Sequence, residues 1–247
     1  MQALKTVYIN EIFKMSKKKK VIASLIFSFF SVIVTAIAVY ALNNFAGISI
    51  TGSSEFSIMV LAVLSYTFFP LFTAFICIDM FAGEFADHTI KFTLTGPASR
   101  FKVFLGKILA VAVFIIVNLV LVMILSLIAS LLINRGMPNF FKILIAYIME
   151  FFPIFIFALV VVLISNITKG TTSAFMLSVF VFLVFNGAGL AFPYLKSLLF
   201  TAAFDWYRLA LGSYINLSKI LRVFLILLGY GIMLFTAGYY LFENKDI

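Results

Sequence analysis

Charged residues are scarce in this sequence. Lys, Arg, Asp and Glu together make up 11% of its 247 residues, whereas 64% are hydrophobic. A soluble domain normally has about a quarter of its residues charged, because its surface must stay hydrated. The composition therefore excludes an ordinary soluble fold and indicates a protein whose solvent is the lipid bilayer.

Cysteine and histidine are nearly absent, which excludes several kinds of site. The single cysteine, Cys77, cannot form an intramolecular disulfide. The single histidine, His88, does not make a metal site by itself, and the protease pattern H-E-x-x-H needs two. The nucleotide-binding pattern G-x-x-x-x-G-K-[ST] is also missing, so the chain has no P-loop ATPase site of its own. We expect no cofactor and no metal in this chain.

Six apolar stretches are long enough to cross a bilayer, whose hydrocarbon core of about 30 Å takes about 20 residues of helix. We therefore expect an all-α polytopic membrane protein, with residues 1–247 forming a single transmembrane domain. The predicted spans are Val21–Leu42, Ser57–Met80, Ile108–Ile133, Ile143–Ser165, Thr172–Phe192 and Val223–Phe242.

Positive charges are distributed unevenly between the two sides of these spans. If the N-terminus is cytoplasmic, twelve of the 18 Lys and Arg residues lie on the cytoplasmic side, in agreement with the positive-inside rule. The net charge of +9 flanks apolar segments, which is typical of binding to anionic lipid and not to nucleic acid. The distribution predicts that both termini are cytoplasmic.

The connection 193–222 on the outer side combines charges with aromatic residues. Trp206, Tyr207 and Tyr214 are amphipathic side chains typical of a membrane interface. We predict that this connection forms one or two short re-entrant or interfacial helices, anchored by these three residues.

Residues 1–20 have the periodicity of an amphipathic helix, with Lys5, Glu11 and Lys14 opposite an apolar stripe. The run Lys17–Lys20 follows and is expected to hold the chain at the lipid headgroups. We predict an interfacial helix that turns into the first span. Its apolar stripe consists of Leu4, Val7, Tyr8, Ile12 and Met15.

The loop 81–107 between the second and third spans contains a second amphipathic pattern. Gly96-Pro97 ends it, because proline cannot continue the helical hydrogen bonding, and Ser99 is placed to cap the next helix. We predict a short cytoplasmic surface helix here. Its acidic groups would face an anionic leaflet, which favours docking to a protein over lying on lipid, although both remain open. The polar stripe consists of Glu84, Asp87, His88, Lys91 and Thr95.

This region resembles the loop after the second span in type-2 ABC export permeases, which are six-helix subunits that pair with a separate ATPase. The resemblance implies that the loop is the coupling helix and that the N-terminal helix is the elbow helix of that family. It also implies an ATPase partner in two copies that carries ATP and Mg, and a second permease copy or a related permease. The residues that carry the resemblance are Gly83-Glu84, His88–Lys91, Leu94-Thr95, Pro97, Ser99-Arg100 and Lys107. The docking residues it implies are Glu84, Phe85, Asp87, His88, Lys91 and Glu11.

The function implied by the resemblance is ATP-driven export across a bacterial plasma membrane. The expected cargo is amphipathic: an antimicrobial peptide, an antibiotic or a lipid-like molecule, as in antibiotic resistance. The alternative is a secondary transporter or channel with Glu150 in its pathway, because ionisable groups within spans are costly and often functional.

Three polar residues within the spans are candidates for a substrate pathway: Glu150, Asn186 and Asn118. Counting 1.5 Å per residue along each helix places Glu150 and Asn186 at similar depth. They are expected either to line a cavity together or to form an interhelical hydrogen bond. Asn118 is expected to join helices more than to contact substrate, and Asp79 is expected to reach water near the cytoplasmic end of its span.

Overall fold

The computed structural model describes residues 2–45, 53–87, 89–90, 99–133, 138–192, 194, 199–212 and 215–245. All regular structure in these ranges is helical. We number the α-helices α1 (Gln2–Ser16), α2 (Lys19–Phe45), α3 (Ser53–Tyr66), α4 (Phe68–Ile78), α5 (Glu84–Ala86), α6 (Arg100–Ile133), α7 (Phe140–Ile167), α8 (Thr171–Ala191), α9 (Arg208–Leu211) and α10 (Leu217–Glu243). A π-helical turn, Asp79–Gly83, joins α4 to α5, and a 3-10 helix, Phe200–Asp205, precedes α9.

Six of the described helical segments are long and apolar enough to cross a membrane. This confirms the all-α polytopic fold with six spans and an N-terminal helix before them. The six segments are Lys19–Ala41, Phe68–Ala86, Arg100–Ile133, Phe140–Ile167, Thr171–Gly189 and Leu217–Glu243.

The second predicted span, Ser57–Met80, is not one continuous helix. It is interrupted at Thr67, between α3 and α4. The physical reason is Pro70, which lacks an N–H and whose ring would clash with the carbonyl of Tyr66 four residues earlier. At its other end the helix runs on through the π turn to Ala86.

The separate surface helix predicted from residue 81 therefore does not begin there. Residues 81–86 continue the second span, and the helix ends at Ala86, before Asp87. The later residues of the predicted amphipathic stripe, His88, Lys91 and Thr95, lie outside the described residues.

Two spans begin more than one helical turn before their predicted first residues. The third begins at Arg100, directly after Ser99, whose carbonyl accepts a hydrogen bond from Val103 N–H at 3.1 Å. The sixth begins at Leu217, where Asn216 Oδ1 accepts from the backbone N–H of Lys219 at 3.1 Å. Asparagine in this position satisfies a backbone donor that the first helical turn leaves free.

Helix α7 lies at the centre of the bundle, packed against α3, α4, α6, α8 and α10. At one end of the bundle lie α1 and the last described residues, 243–245, and we call this the terminal end. The opposite end, with the start of α7 and the 3-10 helix, is the distal end. Helix α1 packs along the first turns of α6.

The aromatic residues of the distal connection are buried, in contrast to the predicted interfacial anchors. Trp206 and Tyr207 are both inside the fold, and Trp206 Nε1 donates to the carbonyl of Met149 at 2.9 Å. Phe204 of the 3-10 helix is also buried and packs against Tyr66 of α3. The short helices exist, but they close the distal end over α7. Tyr214 lies outside the described residues.

Candidate functional site

The terminal end contains a buried cluster of charged side chains that joins three elements. Lys107 Nζ of α6 lies 2.6 Å from Glu84 Oε2 of α5 and 3.0 Å from Glu11 Oε2 of α1. The side chains of Lys107 and Glu11 are 0% and 1% exposed. A charge removed from water in this way is tolerated only when it is paired and hydrogen-bonded. We call Lys107, Glu11, Glu84 and Lys14 the terminal cluster.

Lys14 completes the charge balance of the terminal cluster. Its Nζ lies 2.8 Å from Glu11 Oε1 and 3.9 Å from Glu84 Oε1, so two lysines face two carboxylates. Burial alone would raise the pKa of Glu11, but Lys107 and Lys14 lower that pKa below its usual value. Burial likewise opposes the charge of Lys14, but Glu11 raises the pKa of this lysine. The carboxylate of Glu11 is therefore ionised at neutral pH.

Close packing of α1 on α6 depends on Gly106. A Cβ atom at this position would lie 2.8 Å from Cγ1 of Val7, closer than a carbon–carbon contact permits. The predicted apolar stripe of α1 does face the bundle, with Val7 half-buried and Met15 buried. Glu11 was expected on the opposite side, but it shares the buried side because Lys107 is there to receive it.

Asp79 joins the start of α2 to the π turn. Its two carboxylate oxygens each lie 2.6 Å from a lysine, Oδ2 from Lys18 and Oδ1 from Lys20. The prediction that Asp79 reaches water is therefore incomplete, because its carboxylate is paired. Two of the four lysines expected at the headgroups bind this aspartate.

The C-terminal residues close the terminal end from the other side. Lys245 Nζ donates to the carbonyls of Ser165 and Thr168 at 3.2 and 3.3 Å, at the carboxyl end of α7. The same ammonium lies 4.4 Å from the ring centroid of Phe85. Burial lowers the pKa of Lys245. The Arg100 guanidinium donates to the carbonyls of Glu243 and Lys245.

Aromatic rings pack between these charged contacts. Phe104 of α6 lies 5.8 Å from Phe81 and 5.4 Å from Phe242, centroid to centroid, and Phe85 lies 5.8 Å from Phe242. The first and third of these pairs are edge-to-face, and aromatic pairs of this kind add stability beyond the area they bury. The π turn and α5, at the end of the second span, are therefore fixed to α6 and α10 as well as to α1.

The candidate pathway residues make no hydrogen bond to one another in the described structure. Glu150 is fully buried in α7, and neither of its carboxylate oxygens has a hydrogen-bond partner among the described residues. Asn186 Nδ2 donates within its own helix, to the carbonyl of Phe182 at 2.9 Å. The interhelical hydrogen bond considered for these two residues is thus not formed. Buried Asn118 also has an unpartnered Oδ1 in the described structure.

Comparison with models of known protein families shows the family of this chain. A family model described as ABC-2 family transporter protein matches residues 8–186, most of the chain. The chain belongs to the ABC-2 transporter family. No curated protein matches it. The matched range includes Glu11, Glu84, Lys107 and Glu150 and ends before the 3-10 helix and α10.

Membership confirms the resemblance to a type-2 ABC permease and makes the chain a multi-pass membrane subunit of a transporter. The family also implies an ATP-binding subunit as partner. Within this ABC-2 permease, the terminal cluster lies where the second span leaves the bundle.

The predicted docking residues of the permease have different surroundings. The carboxylates of Glu11 and Glu84 point into the terminal cluster. Phe85 is half-buried beneath Lys245, whereas Asp87 is exposed. His88 and Lys91 lie outside the described residues. Docking itself stays a prediction, and of the four described residues Asp87 is the one whose side chain is exposed.

Sequence reasoning missed two structural contacts of the permease. Lys107 was counted as a surface lysine, yet it is the centre of the terminal cluster. Asn166 Nδ2 donates to the carbonyl of Gly238 at 3.1 Å and joins α7 to α10. A signal for Lys107 existed in the sequence. This lysine directly precedes the apolar run that begins at Ile108, so it could be expected to lie in the same helix.

Proposed function

We propose that this ABC-2 permease is the membrane subunit of an ATP-driven exporter and that a separate ATP-binding subunit docks at its terminal end. ATP and Mg are held by that partner. Two ATP-binding subunits act with two permeases, either two copies of this chain or one copy with a related permease. The excess of Lys and Arg at the terminal end supports its placement in the cytoplasm.

The observation that carries the proposal is the terminal cluster. Residues after Ala86 leave the second span, and Glu84, one turn before this exit, is bonded to Lys107 at 2.6 Å. Lys107 is bonded in turn to Glu11 of α1. A force applied by a partner to the segment after Glu84 therefore acts on α1 and α6 together.

The strength of this connection follows from its burial. Breaking a buried ion pair costs about 3–5 kcal/mol, because the remaining charge is left without compensation. A partner that moves the segment after Ala86 therefore meets less resistance if α1, α5 and α6 move together than if they separate. In the proposed cycle, ATP binding moves the first and second spans relative to the fifth and opens a path for an amphipathic cargo.

Site-directed cross-linking tests the docking. Cys77 is buried and is replaced first (Cys77→Ala), and a cysteine is then introduced by Asp87→Cys at the terminal end. We expect a cross-link to the co-expressed ATP-binding subunit. The matched control is Leu217→Cys, an exposed position at the distal end, which should give none.

Two results would overturn the proposal. One is a cross-link from the control position but not from Asp87→Cys. The other is cargo transport in proteoliposomes that continues without the ATP-binding subunit, which would favour a secondary transporter or channel.

A further inference from the structure

The distal half of the bundle contains a buried carboxyl group that the proposed function does not use. Glu150 is 0% exposed, and neither oxygen has a hydrogen-bond partner in the described part of the chain. The hydroxyl of Ser65 on α3 faces it but donates to the carbonyl of Leu61 at 2.7 Å. An ionised carboxylate in this position is strongly unfavourable unless a positive charge accompanies it.

The 3-10 helix brings further oxygen atoms to the same place. The hydrogen bond from Trp206 Nε1 to Met149, the residue before Glu150, fixes the end of that helix against α7. Tyr207 follows. Its hydroxyl is buried, and the Arg208 side chain lies beside it, so the hydroxyl raises the pKa of Arg208. Burial raises the pKa of Tyr207 to about 12, so the hydroxyl stays neutral.

No basic residue in the described ranges is bonded to the carboxylate of Glu150. Arg208, the basic group nearest in sequence to this 3-10 helix, pairs with Asp205 at 3.4 Å and has a side chain that is 63% exposed. A groove of about 850 Å³ opens at the distal end, and Arg208, Glu55 and Lys142 lie in its wall. The groove therefore reaches the Arg208–Asp205 pair, and Asp205 lies close enough to Glu150 for their charges to interact.

We propose that Glu150, Ser65 and Tyr207 form a binding site for a singly charged cation, either an alkali-metal ion or a primary ammonium group. Oxygen ligands select hard cations, and one unpaired carboxylate matches one positive charge. An ammonium group has three donors for the two carboxylate oxygens and a hydroxyl. The ammonium form rests on the proposed function, because the group would belong to a cationic amphipathic cargo. The alkali-metal form does not depend on it.

Thermal unfolding of the full chain in nanodiscs tests the site. Chloride salts of sodium, potassium, methylammonium and choline are compared at equal ionic strength, and choline serves as a cation without N–H donors. We expect sodium, potassium or methylammonium to raise the Tm by about 3–5 °C at a tenfold excess over its Kd. Glu150→Gln should abolish this rise, whereas the control Glu55→Gln in the groove should keep it.

Carbodiimide labelling gives a second measurement that does not depend on unfolding. Dicyclohexylcarbodiimide adds to a protonated buried carboxyl, and the N-acylurea on Glu150 is measured by mass spectrometry. We expect the stabilising cation to slow this labelling. Stabilisation by sodium or potassium identifies a metal-ion site, and stabilisation by methylammonium alone identifies a site for a cargo amine. Equal Tm in all four salts, with labelling independent of the cation, would overturn the proposal and leave Glu150 as a neutral packed acid. None of these measurements requires the ATP-binding subunit, so failure here is distinguishable from failure of the docking.

Discussion

Removing the positive charge of Lys107 is the most direct perturbation of the terminal cluster. Lys107→Met keeps the approximate length of the side chain and leaves the two carboxylates of Glu11 and Glu84 with a single lysine, Lys14, at the edge of the cluster. The side chain of Lys107 is 0% exposed and those of the two glutamates are 1% and 10% exposed, so water cannot replace the lost partner. Breaking a buried pair from one side costs about 3–5 kcal/mol. For a chain of this size we expect the Tm to fall by about 10 °C.

Thermal unfolding in nanodiscs measures this effect, and two further variants interpret it. Lys102→Met removes a half-buried lysine from the same helix, one that makes no ion pair in the described structure, and should shift the Tm little. The triple variant Lys107→Met, Glu11→Gln, Glu84→Gln removes the three buried charges and should recover most of the loss, because the charge that remains, Lys14, has a side chain 43% exposed and can be hydrated. The triple variant is also expected to hydrolyse ATP in complex with its partner without driving transport. A Tm for Lys107→Met equal to that for Lys102→Met would refute the reasoning.

Three further predictions concern other contacts. The pKa of Glu11 is lowered on folding, so its contribution to stability is present above pH 4.5 and is lost as pH falls through the folded pKa. Glu11→Gln should therefore reduce the dependence of Tm on pH between pH 6 and pH 3. An unchanged dependence on pH would contradict this. Gly106→Val should destabilise the chain by about 1–3 kcal/mol through overpacking against Val7. The control Gly229→Ala has open space around it and should be neutral or stabilising by up to about 1 kcal/mol. Equal Tm values for the two variants would exclude the close contact between Gly106 and Val7. Trp206→Phe should cost about 1–3 kcal/mol, because it leaves a buried carbonyl of α7 unpaired. Limited proteolysis of the connection around Trp206 should then become faster. A cleavage rate like that of the wild type would argue that this hydrogen bond does not hold the connection on α7.

The positions of the spans could be predicted because hydropathy is a property of neighbouring residues. What hydropathy does not report is continuity within a span. Pro70 was visible in the sequence, yet the apolar run around it concealed the interruption at Thr67. The early start of α6 was missed for the opposite reason, because Arg100 and Lys107 are charged and the prediction assigned both to the loop 81–107. Lys107 instead lies inside the helix bundle.

The charge pairs could not be predicted from local patterns. Lys107 is 96 residues from Glu11 and 23 residues from Glu84 in sequence. Counting residues along helices gave the depth of Glu150 and Asn186, but depth does not specify which neighbouring helix each side chain faces. The amphipathic pattern of α1 predicted its helix and its apolar stripe, and it placed Glu11 with the polar residues because the pattern contains no information about a partner on α6.

The π turn determines how motion leaves the second span. Asp79 at its first residue is held by Lys18 and Lys20, and Glu84 directly after its last residue is held by Lys107. Because the carboxylates at both ends are held by lysines of other helices, neither a push along the helix axis nor a twist about it can move the turn without also displacing α2 or α6 or breaking an ion pair.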